Sequence, residues 1–219
     1  MDRVSSYFKL GDINRQLLEE NRRLRALLYN NEEKDTVELD TVGINYTVLS
    51  GRIIKNSYSN QDNYITINRG KNHGVTQDMG VITALGILGI VEKTSNNYAA
   101  VQSILNTKSN INAKIKGTNN FGSLKWNTKR FDEVQLEDIP RLVKLLVGDT
   151  IVTGARSSIF PENVPIGTIK KFDLNTSKSS YNIDVQLFND MTNLKNVYII
   201  DNPSREEILE LENDLNNDR

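Results

Sequence analysis

The chain has 219 residues, a formal net charge of −1 and no cysteine. The near-neutral balance provides no overall basic field for nucleic acid or an acidic membrane face. The missing thiols exclude disulfides, thiolate catalysis and cysteine-ligated zinc. With 37% apolar and 25% charged residues, the chain suits one large domain or two small ones with modest cores. No apolar run approaches the roughly 20 residues of a membrane helix.

Residues 7–28 have a helical pattern. Leu10, Leu17 and Leu24 recur every seven residues, the spacing of a coiled-coil seam. With the leucines at d, Tyr7, Asn14, Asn21 and Leu28 fall at a. An Asn at a costs stability but selects a two-stranded, in-register pair. The competing frame puts Ile13, Glu20 and Leu27 at d and buries Glu20, so the first is preferred, with Ile13, Leu18 and Leu27 widening the stripe. Leu10, Asn14, Leu17, Asn21, Leu24 and Leu28 are then the dimerisation residues. Arg15, Glu19, Glu20, Arg22, Arg23 and Arg25 form a charged outer face, with Arg15–Glu19 and Glu19–Arg23 as i,i+4 pairs. The plainer alternative is a single amphipathic helix lying on its own domain.

Residues 30–36 are polar and read as a linker. From Val37 the period changes to two, with Val42, Ile44, Tyr46 and Val48 on one strand face. Gly51 punctuates. Short β-branched runs follow near 52–55, 65–67, 81–85, 87–91, 101–105, 111–115, 124–126, 134–136, 151–153, 166–172, 181–187 and 197–200. Residues 138–147 read as a short helix or an irregular loop. About a dozen short strands predict a mainly β body of two small barrel-like or sandwich units. Beyond Pro203, Ser204 and Glu207 suggest a capping box for an acidic helix. Ile208, Leu211 and Leu215 would form its apolar stripe.

The search for chemistry returns little. His73, the one histidine, lies in a turn between Asn72 and Gly74, so a hydrolase using His73 as base is a weak alternative. Ser157 and Ser158 lie in no nucleophile-elbow context. No spacing suits a metal, cofactor or phosphate site. Asp132, Glu133, Glu137 and Asp138 read as a solvated strand edge rather than a glycosidase pair. Lys108, Lys114, Lys116, Lys125, Lys129 and Arg130, with Phe121 and Trp126, would be the surface of an anionic-polymer or glycan-binding module. Phe160-Pro161 makes a rigid apolar loop, either packed over a barrel mouth or exposed to a partner.

The glycine-punctuated runs Asn68-Arg69-Gly70, Gly74-Val75, Met79-Gly80-Val81-Ile82 and Gly86 to Val91, then Gly148 to Gly154, Phe160-Pro161 and Val164 to Gly167, resemble the MreC rod-shape-determining family. The leading segment resembles the helix behind that family's membrane anchor. Three turns depart from the pattern: His73 replaces an acidic or small polar residue, Thr153-Gly154-Ala155-Arg156 replaces Thr-Ser-Gly, and Glu162-Asn163 stands where a glycine is common.

The resemblance implies a dimerising helix before two β-barrel-like subdomains, interleaved as 37–62 plus 146–202 and an inserted 63–145, then an acidic tail from 203. It implies a non-catalytic scaffold of the cell-elongation machinery, without cofactors, on the periplasmic face of the cytoplasmic membrane, tethered by an upstream helix. The implied partners are a second copy or a higher self-assembly, MreD, a class B penicillin-binding transpeptidase and, indirectly, the MreB cytoskeleton, with no nucleic acid. Phe160 and Pro161 would face a partner. Gly70, Gly74, Gly80, Gly86, Gly89, Gly154 and Gly167 would be structural turns.

Overall fold

A computed structural model describes residues 17–26, 28, 46–177 and 179–217. Helix α1 covers residues 17–26, and residue 28 is also helical. Twelve strands follow: β1 (Thr47–Asn56), β2 (Tyr64–Ile67), β3 (Gly80–Ile82), β4 (Ile87–Thr94), β5 (Ala99–Ser103), β6 (Ile111–Ile115), β7 (Phe121–Lys125), β8 (Glu133–Pro140), β9 (Thr150–Thr153), β10 (Pro165–Leu174), β11 (Ser180–Leu187) and β12 (Asn196–Asp201). Helix α2 (Arg205–Asn217) closes the described chain.

The strands close into two six-stranded barrels, β1-β12-β3-β4-β5-β2 and β10-β11-β8-β7-β6-β9. Every pairing is antiparallel, as short hairpin links between β-branched runs favour. Alternate residues point inward. In β11 the inward set is Ile183, Val185 and Leu187, and in β2 it is Ile65 and Ile67. The buried apolar residues of both barrels join in one connected cluster.

The mainly β architecture with two barrels agrees with the sequence reading; the division of the chain does not. Residues 64–103 do not open a second barrel. They supply four strands of the first, where β2 pairs with β1 and β3 pairs with β12. Barrel one is therefore 47–103 plus 196–201, and the inserted barrel two is 111–187. Only β12 returns, because β9, β10 and β11 satisfy their backbone groups against β6 and β8. Gly51 does not interrupt a strand either: β1 runs through it, facing Val197 on β12. The expected strand residues Val42 and Ile44 and the linker 30–36 lie outside the described residues.

Candidate functional site

The residues that might have carried chemistry are occupied structurally. His73 ends a 3-10 turn (Lys71–His73), and its Nδ1 accepts the Gly70 N–H at 3.2 Å. Gly74 follows at φ 81°, a left-handed value that glycine adopts without a Cβ penalty. Each acidic candidate but Asp138 has a cation: Asp132 meets Arg130 at 2.7 Å, Glu137 meets Lys125 at 2.9 Å, and Glu133 meets Lys170 and Arg130. The hydrogen bond from Arg130 holds the Asp132 carboxyl below its usual value. Four of the six cations in the basic cluster, Lys108, Lys114, Lys125 and Arg130, are taken up in ion pairs. Lys114 is buried against Glu162, Lys108 meets Asp62 at 2.8 Å, and the Trp126 indole N–H donates to the Arg130 carbonyl at 2.6 Å. No open cationic groove with stacking rings results. Among the described residues no three potential ligands gather for a metal, and no helix is long and apolar enough to cross a membrane.

What the structure builds instead are surfaces. Helix α1 leans on barrel one through one face. Leu18 and Ala26 pack against the core, Arg22 donates to the Val48 carbonyl at 3.2 Å, and Arg25 donates to the Ala84 carbonyl at 3.0 Å. The Arg25 guanidinium also lies 5.0 Å from the Tyr198 ring centroid. These residues sit at i, i+4, i+7 and i+8, so they share a helical face. The other face carries Leu17, Asn21, Leu24 and Leu28, all exposed; the leucines are 55%, 51% and 55% accessible. Two expectations change. Leu18 leaves the heptad stripe for the barrel, and Arg22 and Arg25 are docking residues rather than outer-face charges. Glu19 pairs with Arg22 at 2.9 Å, one turn position short of the expected Arg23. The Asn21 side chain donates to the Leu17 carbonyl at 2.8 Å. Leu10 and Asn14 lie outside the described residues.

Phe160 is only 1% exposed, and Pro161 is buried. This corrects the reading of the pair as a partner-facing knob. A Cβ on Gly80 of β3 would stand 2.7 Å from the Phe160 ring, so the glycine leaves the space the ring fills. The loop 154–164 thus fastens barrel two to barrel one. Gly86 makes the second close approach, its backbone lying against the Pro165 carbonyl. Between them, Asn189 accepts from the Thr83 hydroxyl and donates to the Ile87 carbonyl at 2.9 Å. Asn202 donates to the Ser158 carbonyl at 2.8 Å. Gly70, Gly89, Gly154 and Gly167 also lie where a side chain would strike neighbouring atoms. Asn163, in the turn where a glycine is common, has φ 66°. Asn is one of the few residues that tolerates that region.

Two features had no clear signal in the sequence. Asn189 has no local mark of its role, since its partners lie more than a hundred positions away. Leu142, Leu146 and Val147, in the segment read as a short helix or an irregular loop, stand exposed on a loop after β8, and nothing in the spacing marked which of them would face outward. Asp201, at the end of β12, has its carboxyl pushed up by burial and secondarily by Glu206.

A family model described as "Rod shape-determining protein MreC, barrel core" matches residues 53–201. The chain is 26% identical over 174 residues to the cell shape-determining protein MreC of Listeria monocytogenes, covering 78% of this chain and 59% of that protein. It is 26% identical over 212 residues to the Bacillus subtilis MreC, covering 90% and 73%. The chain therefore spans less than two thirds of the Listeria relative's length. Among solved structures, an MreC from Listeria monocytogenes superposes with a TM-score of 0.67 at 25% identity, covering 92% of this chain and 93% of that one. A chain of the complex between penicillin-binding protein PBP2 and MreC from Helicobacter pylori shares the fold, with a TM-score of 0.57 at 14% identity over 72% of this chain and 99% of that one.

Proposed function

Because the chain belongs to the MreC family of rod shape-determining proteins, we propose that it is a non-catalytic scaffold of bacterial cell elongation that pairs through α1 and presents its barrels to cell-wall synthesis enzymes. The observation that carries this reading is the two-faced use of α1. One face is consumed by barrel one, while Leu17, Asn21, Leu24 and Leu28 remain exposed at heptad spacing. Exposed leucines in that register are what a second copy of the helix would bury. Since α1 is docked, pairing would fix the orientation of both bodies as well as their separation.

The partners proposed are those of the family: MreD, a class B penicillin-binding transpeptidase and, indirectly, the MreB cytoskeleton, at the periplasmic face of the cytoplasmic membrane. The Helicobacter pylori complex of PBP2 with an MreC supports the transpeptidase. Closed barrels have no free strand edges, so such a partner would be engaged through loops and barrel ends. A scaffold of this kind acts by binding one conformation of its enzyme more tightly than another.

The test is the mass of the chain in solution with Leu17→Glu and Leu24→Glu introduced together. At a salt concentration high enough to screen charge-driven contacts, the expected outcome is a dimer that becomes monomeric in the variant at unchanged melting temperature. A wild-type chain that is monomeric at high micromolar concentration sinks the pairing.

A further inference from the structure

The end of barrel two facing away from barrel one has a distinctive surface. The turn after β6, the loop after β8 and the β10–β11 hairpin all lie there, as the pairings of Ile115 with Ile151 and of Ser180 with Pro140 require. The loop at 141–149 crosses this mouth. Leu145 is buried and Val143 packs against the core, while Leu142, Leu146 and Val147 are 86%, 71% and 68% exposed. Arg141 and Lys144 on the loop are exposed and have no ion pair among the described residues. Lys116, also exposed, stands at the same end of the barrel, its N–H bonded to the Thr150 carbonyl at 2.9 Å, and the loop's one carboxylate, Asp149, accepts the Leu146 N–H at 2.9 Å. Three exposed aliphatic side chains on a loop that also carries Arg141 and Lys144 are costly to leave uncovered.

Helix α2 is the complement. It lies beyond the residues matched by the barrel-core family model. It carries Glu206, Glu207, Glu210, Glu212 and Asp214. Its one cation, Arg205, is bound to Asp78 at 3.2 Å. Among the described residues no α2 side chain packs against the core, and Leu211 is exposed. Ile208 and Leu211 lie three positions apart on one helical face among these acids.

We propose that α2 of one copy docks across the 141–147 loop of a second copy, joining molecules head to tail. The apolar face would cover Leu142, Leu146 and Val147, and the flanking carboxylates would meet Arg141, Lys144 and Lys116. Such a contact joins two different patches, so it does not close on itself and can extend into a chain of copies. It is independent of pairing through α1, because the two surfaces share no residue.

The experiment uses two full-length variants, Arg141→Glu with Lys144→Glu, and Glu207→Lys with Glu210→Lys. Sedimentation velocity is run for each alone, for an equimolar mixture and for wild type, across concentration and salt. The wild-type mass is expected to climb with concentration and to fall back as salt rises. Each variant alone loses this growth. Combining all four substitutions in one chain restores it, because the charges are exchanged. The variants keep all core residues, and an unchanged melting temperature confirms that each is folded. Equal growth in wild type and both single-patch variants, no growth in wild type, or no recovery in the combined chain overturns the proposal. Sedimentation of wild type, but not of the loop variant, with phosphatidylglycerol vesicles would assign the loop to an anionic lipid surface instead and equally overturns it. Loss of α1 pairing with Leu17→Glu and Leu24→Glu leaves the salt-sensitive growth in place, so the two associations fail separately.

Discussion

Phe160 against Gly80 shows how much one contact between distant residues can decide. The ring closes the seam between the barrels, so Phe160→Ala should open a cavity and cost about 3–5 kcal/mol, read as a lower denaturant midpoint. Gly80→Val should cost stability from the other side, because its methyls would need the ring's volume. Asp201 gives a pH-dependent case. Its folded-state pKa is raised, first by burial and then by Glu206, so the folded state holds the proton more tightly than the unfolded chain does. Its contribution to stability is fully present below the ordinary carboxylate pKa and is lost as pH rises through the folded value. Asp201→Asn should therefore raise the melting temperature at pH 7 and flatten the decline across that interval. A variant that melts lower at pH 7 would contradict this. None of these roles was readable locally. An aromatic beside a proline looks the same in sequence whether it faces a partner or a seam, and the glycine that receives it lies far upstream.

At the level of single elements, α1 was legible as a helix with two usable faces, and its assignment was half legible. The heptad spacing identified Leu17, Leu24 and Leu28 as a stripe. It could not foretell that Leu18 would turn to the barrel, or that two arginines would cap the Val48 and Ala84 carbonyls. Those acceptors exist only once barrel one has formed. Arg25→Ala should loosen the helix from the barrel by about 1.5–3 kcal/mol, the scale of a charged hydrogen bond. Faster amide exchange in residues 17–26 at an unchanged global midpoint would report it. The loop after β8 was left open between a short helix and an irregular loop, and it is a loop after the end of β8 at Pro140. Its spacing suits a helix, but the closing barrel needs a strap across its mouth, and only Val143 and Leu145 are taken inward.

For the whole molecule, the strand runs indicated two small β units, and the family resemblance implied that one is inserted in the other but misplaced the junction. Strand runs separated by glycine turns do not say which neighbour completes a barrel, and the return of β12 alone has no local mark. The connected core and the shared seam at Phe160, Asn189 and Asn202 predict that both barrels unfold in one calorimetric transition. Two resolved transitions would show that the seam is energetically weak. The register of β1 with β12, which sets Thr47 opposite Asp201, has a mechanical consequence. The incoming and outgoing chain leave barrel one side by side, so tension applied through the leading helix and the acidic tail is borne by that strand pair. Barrel two hangs outside that line of force, so its strands stay paired while the β1–β12 contact carries the load.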